Sequence, residues 1–412
     1  MRRRVVITGL GAISPIGNNV HDMWENAKKG VNGIDYIKRF DTSNLEVKIG
    51  GEIKDFDFEG FFGRKQLKRT DRFVQLSLIA TKEAVLDSSL DFEKEDTDRI
   101  GVYYGSGIGG LETIATQEDK AQNRGYNRIS PYFIPSAIIN IASGNIAIEY
   151  GIHGMATSTV TACASATNSI GDAFRAIRDG YLDIIITGGG EASVIPLGVG
   201  GFTVMQALNK SNDPTKASAP FDLNRSGFVM GEGAGTLILE EYERAIARGA
   251  KIYGEIIGYG ATCDASHITS PDPEANGARK CMEMALKDGN IKVSEVDYIN
   301  AHGTATPLND KTETLAIKKA FGEYAKKISI SSTKSMMGHL LGASGAIEAI
   351  ISVLAVRDNF IPPTINYQTF DPKCDLDYTV NVGKERAIEV AISNSLGFGG
   401  HNATVAFRKF RG

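Results

Sequence analysis

A cysteine surrounded by small residues is the first candidate for chemistry in this chain. Residues 159–167 read T-V-T-A-C-A-S-A-T, and apolar residues at Ile170, Phe174 and Ile177 then repeat at helical spacing. Cys163 is therefore expected at a helix amino terminus, where the positive end of the helix dipole would lower the thiol pKa. Its small neighbours would leave an acyl carbon room to approach. A buried structural cysteine is the alternative interpretation.

Two of the six histidines lie in glycine-rich segments that follow predicted strands. Residues 300–310 read N-A-H-G-T-A-T-P-L-N-D and contain His302, and residues 333–345 read T-K-S-M-M-G-H-L-L-G-A-S-G and contain His339. Glycine permits tight turns that can direct an imidazole into a cleft. Neither histidine has a carboxylate or thiol partner at ligand spacing, so one cysteine with two histidines favours acyl transfer over zinc binding.

A third glycine-rich segment raises a competing hypothesis. Residues 105–110 read G-S-G-I-G-G after a predicted strand, which matches the G-x-G-x-x-G pattern of dinucleotide-binding proteins. The acidic residue expected at the end of the next strand is missing, because Glu118 and Asp119 fall in a polar, helix-like stretch. A dinucleotide-dependent oxidoreductase is therefore the remote alternative to acyl transfer.

The composition limits the class of protein. The 412 residues are 42% apolar and 23% charged, as in globular proteins, and the net charge of −4 gives no reason to expect nucleic-acid binding. Four cysteines without regular spacing argue against a disulfide framework and for a reducing compartment. No apolar run approaches the roughly 20 residues that a membrane span needs. These features predict a cytoplasmic protein.

Short apolar runs alternate with helical patterns, which predicts an α/β protein with largely buried sheets. The predicted strands are Val5–Thr8, Ile100–Tyr104, Ile184–Thr187, Thr236–Leu239, Val296–Asn300, Ile328–Ser332 and Val390–Ser393. Residues 163–180 also align without gaps to residues 342–359, sharing an Ala-Ser pair, a later Ala and an Arg-Asp pair. Two similar halves packed as one body would produce this match, and so would two unrelated amphipathic helices of similar composition.

Four motifs together resemble the β-ketoacyl synthase family of condensing enzymes. In chain order they are T-A-C-A-S, N-A-H-G-T-A-T-P-L-N-D, S-S-T-K-S-M-M-G-H-L-L-G-A-S-G and N-S-L-G-F-G-G-H-N. The resemblance implies a thiolase-like α/β fold, with two related halves in a five-layered αβαβα arrangement. An N-terminal half of about residues 1–250 would carry the cysteine, and a C-terminal half of about residues 251–412 would carry both histidines.

The resemblance implies the decarboxylative condensation of fatty acid elongation. In this reaction an acyl chain on one acyl carrier protein and a malonyl group on another give a 3-oxoacyl carrier protein. Cys163 would hold the acyl chain as a thioester. His302 and His339 would stabilise the charge that develops on the malonyl thioester oxygen as carbon dioxide leaves. A polyketide-type ketosynthase with the same mechanism is the alternative. The resemblance also implies no cofactor and a homodimer.

Supporting roles follow from the same resemblance. Lys334 would be hydrogen-bonded behind the second histidine and would order the site. Phe398 would gate the site, and its backbone N–H would form an oxyanion hole with that of Cys163. The remaining assignments are Thr304, Thr306, Thr269 and Ser270 for the phosphopantetheine arm, Ile108 and Phe202 for the acyl tunnel, Lys65, Lys68 and Arg69 for carrier docking, and Asn300, Glu313, Glu348, Ser393 and Asn394 for a possible structural cation, with no catalytic metal. Gln206 replaces a docking arginine that relatives often carry, which leaves that contact open.

Overall fold

The computed structural model describes residues 2–412, in which strands and helices alternate as the sequence predicts. The strands are β1 (Val5–Ile13), β2 (Asp35–Tyr36), β3 (Ile49–Gly50), β4 (Ile100–Gly105), β5 (Ala156–Thr157), β6 (Ile184–Glu191), β7 (Gly233–Glu241), β8 (Gly254–Cys263), β9 (Val296–Asn300), β10 (Ser329–Ser331), β11 (Phe360–Ile361), β12 (Lys384–Glu385), β13 (Val390–Gly397) and β14 (His401–Arg408). The helices are α1 (Val20–Lys29), α2 (Phe58–Leu67), α3 (Arg72–Ser88), α4 (Leu111–Arg124), α5 (Phe133–Ala137), α6 (Ile141–Tyr150), α7 (Ser165–Arg178), α8 (Pro196–Val204), α9 (Tyr242–Ala247), α10 (Asn276–Asp288), α11 (Pro307–Phe321), α12 (Lys334–Met337) and α13 (Ser344–Asp358). All seven predicted strands are confirmed.

The main sheet is built from two halves with the same strand topology. Its order is β10-β9-β13-β14-β8-β1-β7-β6-β4-β5. In the half that begins at β1, the β1–β7 and β7–β6 pairs are antiparallel, and the β6–β4 and β4–β5 pairs are parallel. Outward from β8 the same sequence of directions runs through β14, β13, β9 and β10. The predicted fold of two related halves is confirmed, whereas the division of the chain at about residue 250 stays a prediction.

Helices form three layers around the two half-sheets. Helices α7 and α13 contact each other and strands of both halves, so they form the central layer. Helix α3 packs on β1, β7 and β6, while α10 packs on β8 and β14 and is itself contacted by α11. Helix α13 is buried from Ser344 to Val356, in keeping with a sequence that is largely apolar on all faces. The result is the expected five-layered arrangement.

The two central helices begin in the same unusual way. Each follows a short 3₁₀ turn whose first residue has a positive φ, 50° at Ala162 and 48° at Leu341. Positive φ is uncommon for residues other than glycine. Its repetition at aligned positions favours a structural relationship over coincidence for the internal sequence match. Cys163 and Gly342 therefore occupy equivalent places, one in each half.

Strands β8 and β14 were not predicted, and glycines in β8 explain part of the failure. A Cβ at Gly258 would lie 2.3 Å from the carbonyl oxygen of Ala285, and one at Gly260 would lie 2.1 Å from that of Cys281. Helix α10 thus packs directly against the backbone of β8, which requires glycine and interrupts the apolar pattern of a strand.

Among residues 2–412, no helix combines the length and apolar character needed to cross a membrane.

Candidate active site

Three predicted side chains meet in one cavity of about 530 Å³. Cys163 lies in the turn before α7, His302 follows β9, and His339 lies between α12 and α13. All three are buried, and the two imidazole rings are 5.2 Å apart between centroids at an angle of 86°. The structure therefore brings together residues from both halves of the chain. Their catalytic roles stay a prediction at this point.

His302 is positioned through its backbone. The carboxylate of Glu313, on α11, accepts the backbone N–H groups of His302 and Gly303, each at 2.8 Å. Burial lowers the pKa of His302 well below its usual value, and the charges of Lys334 and His339 act in the same direction. His302 is therefore a neutral imidazole, which donates one N–H and carries no charge at neutral pH.

His339 is fixed by contacts on both its backbone and its ring. Its backbone N–H donates to the carbonyl of Val229 at 2.7 Å, and the Ser344 hydroxyl lies 2.9 Å from its Nδ1. Burial lowers the pKa of His339 well below its usual value, with Lys334 acting in the same direction. When Ser344 donates to Nδ1, the ring proton resides on Nε2. Two neutral imidazoles therefore face the cavity.

A buried ion pair lies close to the histidines. Lys334 and Glu348 are each about 98% buried and pair through the Lys334 ammonium and a Glu348 oxygen. The Lys334 charge lowers the pKa of both histidines and also that of the Cys163 thiol. Removing one member of such a pair leaves an uncompensated buried charge, so the two residues act as a unit.

The sequence-based expectation of a low thiol pKa is wrong. Burial raises the pKa of Cys163 to about 12, and the negative charge of Glu191 adds to this effect. Lys334 and the backbone N–H groups of Phe398 and Cys163 favour the thiolate but do not outweigh burial. The same two N–H groups were predicted to form the oxyanion hole, which stays a prediction.

We expect the alkylation of Cys163 by iodoacetamide to accelerate with pH, without a plateau, up to about pH 10. Only the thiolate reacts, and below the thiol pKa its fraction rises about tenfold for each pH unit. Intact mass spectrometry of adducts formed between about pH 7 and pH 10 measures the rates. Cys163→Ala reports the reaction of the other cysteines. A plateau reached below about pH 8.5 would contradict the raised pKa.

Most of the predicted supporting residues line the same cavity. They are Thr304, Thr306, Thr269, Ser270, Ile108, Phe202 and Phe398. The ring of Phe398 is 6.4 Å from that of Phe202, and the hydroxyls of Thr304 and Thr306 are 3.0 Å apart. Thr306 also caps α11 by accepting the backbone N–H of Asn309 at 3.3 Å. A structural role thus accompanies its predicted contact with the pantetheine arm.

The five residues assigned to a possible cation are all buried. Asn300 and Ser393 are paired neighbours on β9 and β13, and Asn394 donates to Glu313 at 3.4 Å. Within the described chain, both amide atoms of Asn300, the Ser393 hydroxyl and one Glu348 oxygen lack a hydrogen-bond partner. These oxygens suit a weakly held cation, although residues 2–412 contain no cluster of three His, Cys, Asp or Glu arranged for a metal. The cation stays a prediction.

The predicted docking residues lie outside the cavity. Lys65, Lys68 and Arg69 are exposed at the end of α2 and just beyond it. The Arg69 guanidinium lies 4.7 Å from the centre of the Tyr132 ring, and its backbone carbonyl accepts the Ser136 hydroxyl at 2.8 Å. These contacts attach the basic patch to α5, beside the loop that carries Ile108.

The glycine-rich loop at residues 105–110 binds a carboxylate of the protein itself. The backbone N–H of Gly107 donates to Glu191 at 2.7 Å, and that of Ile108 lies 3.3 Å from both oxygens of the same group. In a dinucleotide site these N–H groups would face a phosphate. Glu191 already supplies the negative charge, so the structure argues against the oxidoreductase. Sequence reasoning missed Glu191, for which the only signal is its place directly after the glycines of β6.

Comparisons with known proteins agree with this geometry. Residues 2–245 match the family model of the β-ketoacyl synthase N-terminal domain, and residues 253–368 match that of the C-terminal domain. A Synechocystis protein named 3-oxoacyl-[acyl-carrier-protein] synthase 2 is 52% identical over 411 residues, which cover 100% of this chain and 99% of the relative. A Staphylococcus aureus protein of the same name is 51% identical, with 99% of both chains covered.

A solved structure shares the whole fold. It shows a type II polyketide synthase acyl carrier protein in complex with its ketosynthase bound to the hexaketide. The match has a TM-score of 0.92 and 34% sequence identity and covers 100% of both chains.

Proposed function

Because this chain belongs to the β-ketoacyl synthase family, we propose that its cavity elongates fatty acyl chains by decarboxylative condensation on acyl carrier protein. The observation that carries the proposal is the meeting of Cys163, His302 and His339 in one cavity. The relatives at 51–52% identity bear the name of the enzyme that performs this reaction. Mass spectrometry of the 3-oxoacyl carrier protein formed from acyl and malonyl carrier proteins tests it, and absence of that product would refute it.

In the first step, the sulfur of Cys163 attacks the carbonyl carbon of an acyl thioester on the carrier protein. The bond from that carbon to the carrier sulfur breaks, and the proton lost by Cys163 ends on the departing carrier thiol. Negative charge accumulates on the carbonyl oxygen, where the N–H groups of Cys163 and Phe398 would receive it. Because burial raises the pKa of Cys163 to about 12, the resting group is the thiol, and its proton must leave for the thioester to form.

In the second step, a malonyl thioester loses carbon dioxide. The electron pair of the broken carbon–carbon bond moves onto the thioester oxygen, which gives an enolate. Neutral His302 and His339 can donate hydrogen bonds to that oxygen without the cost of a buried charge. The enolate carbon attacks the acyl carbon on Cys163, the carbon–sulfur bond breaks, and the sulfur regains a proton from solvent. The reaction balances without a cofactor.

Polyketide synthesis is the second candidate, because the solved ketosynthase with 34% identity shares the whole fold. The higher identity of the 3-oxoacyl-[acyl-carrier-protein] synthase 2 relatives favours fatty acid elongation. Assay with simple saturated acyl carrier proteins separates the two candidates. Efficient turnover of these substrates supports elongation, whereas turnover of only poly-oxo chains would support the polyketide function.

The basic patch of Lys65, Lys68 and Arg69 is proposed to receive an acidic carrier protein. We expect Lys65→Glu/Lys68→Glu to lower kcat/KM for acyl carrier protein by about tenfold at low salt, mainly through slower association. The effect should shrink as ionic strength rises. Steady-state kinetics at several salt concentrations measure it.

A matched control changes the same charge elsewhere. Lys287 and Lys292 are exposed near Asp288, which pairs with Arg178 at the end of α7 opposite Cys163. Lys287→Glu/Lys292→Glu should leave kcat/KM within about twofold of the unaltered protein. An equal loss in both double variants would show that net charge, rather than the patch, governs association.

We also propose that the protein is cytoplasmic and that two copies of it associate along β5. Strand β5 ends the main sheet, and the neighbouring apolar side chains are exposed by 40–80%. These side chains are Ile134, Ile138, Ile148, Met155 and Val160. Exposed apolar groups beside a free strand edge favour pairing with another chain. Light scattering after size-exclusion chromatography tests this, and a monomer at micromolar concentration would refute it.

A further inference from the structure

Glu191 joins three segments beside the cavity. It is the last residue of β6 and is fully buried. Its Oε2 accepts the backbone N–H of Gly107 at 2.7 Å and that of Gly342 at 3.1 Å, while the N–H of Ile108 lies 3.3 Å from both oxygens. One carboxylate thus links strand β6, the loop after β4 and the turn before α13, which comes from the other half of the chain.

Two hydroxyls complete the environment of this carboxylate. Ser106 and Ser193 donate to Oε1 at 3.3 and 3.1 Å, and Ser106 also accepts the backbone N–H of Gly109 at 3.2 Å. Five donors therefore surround Glu191. A carboxylate so fully engaged has no free oxygen with which to take a proton from a substrate. Its position suits the orientation of the backbone and not acid–base chemistry.

The two glycines bonded to Glu191 allow this close approach. A Cβ at Gly342 would lie 2.1 Å from the backbone nitrogen of Gly107 and 2.7 Å from Glu191 Oε2. A Cβ at Gly107 would lie 2.9 Å from the same oxygen. A side chain at either position would push the loop away from the turn. Both glycines are therefore needed for the loop and the turn to bond to the same carboxylate.

The residues next to these glycines face the substrate cavity. Ile108 follows Gly107 and Leu341 precedes Gly342, and both line the cavity. Leu341 has a φ of 48°, a conformation that residues other than glycine keep only when their surroundings enforce it. The contact with Glu191 restrains both backbones at once. Movement of Glu191 would therefore move two walls of the cavity.

Glu191 also distinguishes the two equivalent helix starts. At the start of α7 the backbone N–H of Cys163 lowers the pKa of its own thiol, whereas at the start of α13 the equivalent N–H of Gly342 is bonded to Glu191. The N–H at the second helix start is therefore already occupied by a carboxylate of the protein. The charge of Glu191 also raises the pKa of the Cys163 thiol.

We propose that Glu191 is a positioning residue that fixes Ile108 and Leu341 against the cavity and thereby selects which acyl chains reach Cys163. The inference rests on the proposed acyl transfer to Cys163 and adds a determinant of chain length to it. Glutamine in place of Glu191 keeps the size of the side chain but presents N–H groups to backbone N–H donors. The loop and the turn would then separate, and the displaced Ile108 and Leu341 would leave room in the cavity for longer acyl chains.

The test compares rates of Cys163 acylation by hexanoyl, decanoyl and hexadecanoyl carrier proteins, followed by intact mass spectrometry. We expect Glu191→Gln to raise the ratio of the hexadecanoyl rate to the hexanoyl rate by about tenfold, which is below the roughly hundredfold effect that a displacement of about 1 Å in a site can have. Removal of the charge should also shift the iodoacetamide profile of Cys163 to lower pH, which a purely structural residue would not do.

Glu83→Gln is the matched control. Glu83 also accepts two backbone N–H groups, those of Ala12 and Val20 at 2.8 Å each, but does not line the cavity. It should leave the ratio unchanged. Ser106→Ala removes one donor to Glu191 and should shift the ratio in the same direction by a smaller factor, so it decides the matter if Glu191→Gln fails to fold.

The outcomes separate this inference from the proposed function. An unaltered protein that forms no adduct at Cys163 with any chain would overturn the proposed acyl transfer. Adducts with unchanged ratios in Glu191→Gln, or in Ser106→Ala when the first variant does not fold, would overturn the role of Glu191 and leave the acyl transfer intact.

Discussion

Cys163→Gln is expected to abolish condensation while leaving the decarboxylation of malonyl carrier protein. The glutamine cannot form the acyl thioester, so condensation should fall by about 10⁴-fold or more, the range seen when a catalytic nucleophile is removed. Decarboxylation depends on His302 and His339, whose hydrogen-bond partners include neither Cys163 nor its turn. Carbon dioxide release and 3-oxoacyl product, measured in the same reactions, give the two rates.

The control for this variant replaces a cysteine outside the cavity. Cys281 is buried on α10 and its thiol lies 3.2 Å from the carbonyl oxygen of Gly260. Cys281→Ala should keep both activities if it folds, and its melting temperature identifies any loss caused by unfolding. Condensation by Cys163→Gln at more than a few per cent of the original rate would contradict the assignment of the nucleophile.

His302→Ala and His339→Ala are expected to give the complementary result. Each removes one neutral donor for the enolate oxygen, so decarboxylation should fall by about 10²–10³-fold, as for the loss of an oxyanion-hole donor. Condensation should fall with it, because it consumes the enolate. Acylation of Cys163 precedes this step and should persist. Carbon dioxide release measures the first effect, and intact mass spectrometry measures acylation.

Two further variants test whether the histidines act as donors. His153 is exposed and lies outside the cavity, so His153→Ala should change neither rate. His302→Asn keeps an N–H donor of a different shape and should retain more decarboxylation than His302→Ala. Equal activity of the asparagine and alanine variants would indicate that His302 acts through something other than hydrogen-bond donation.

The sequence predicted seven of the strands and the candidate triad because these leave local signals. Continuous apolar runs such as Ile184–Thr187 are typical of buried strands, and glycine-rich frames mark His302 and His339. Strand β8 was missed because Gly258 and Gly260 are required by the backbone of α10, which is distant in sequence at that point. Local patterns do not contain such contacts.

The sequence failed on the electrostatics of the site for a related reason. Proximity of Cys163 to a helix start predicted a low thiol pKa, whereas burial between the two halves raises it. Enclosure depends on segments such as 338–343 and 396–400, which pack around the thiol only in the folded chain. Glu191 was missed likewise, because its partners Gly107 and Gly342 lie 84 and 151 residues away.

The most direct test of the central claim is intact mass spectrometry of the protein after mixing with decanoyl carrier protein, with peptide mapping of any adduct. We predict a mass gain of one acyl group, located on Cys163 and removed when malonyl carrier protein is added. An adduct on another residue, or no adduct with any of several chain lengths, would contradict the claim that Cys163 carries the acyl chain.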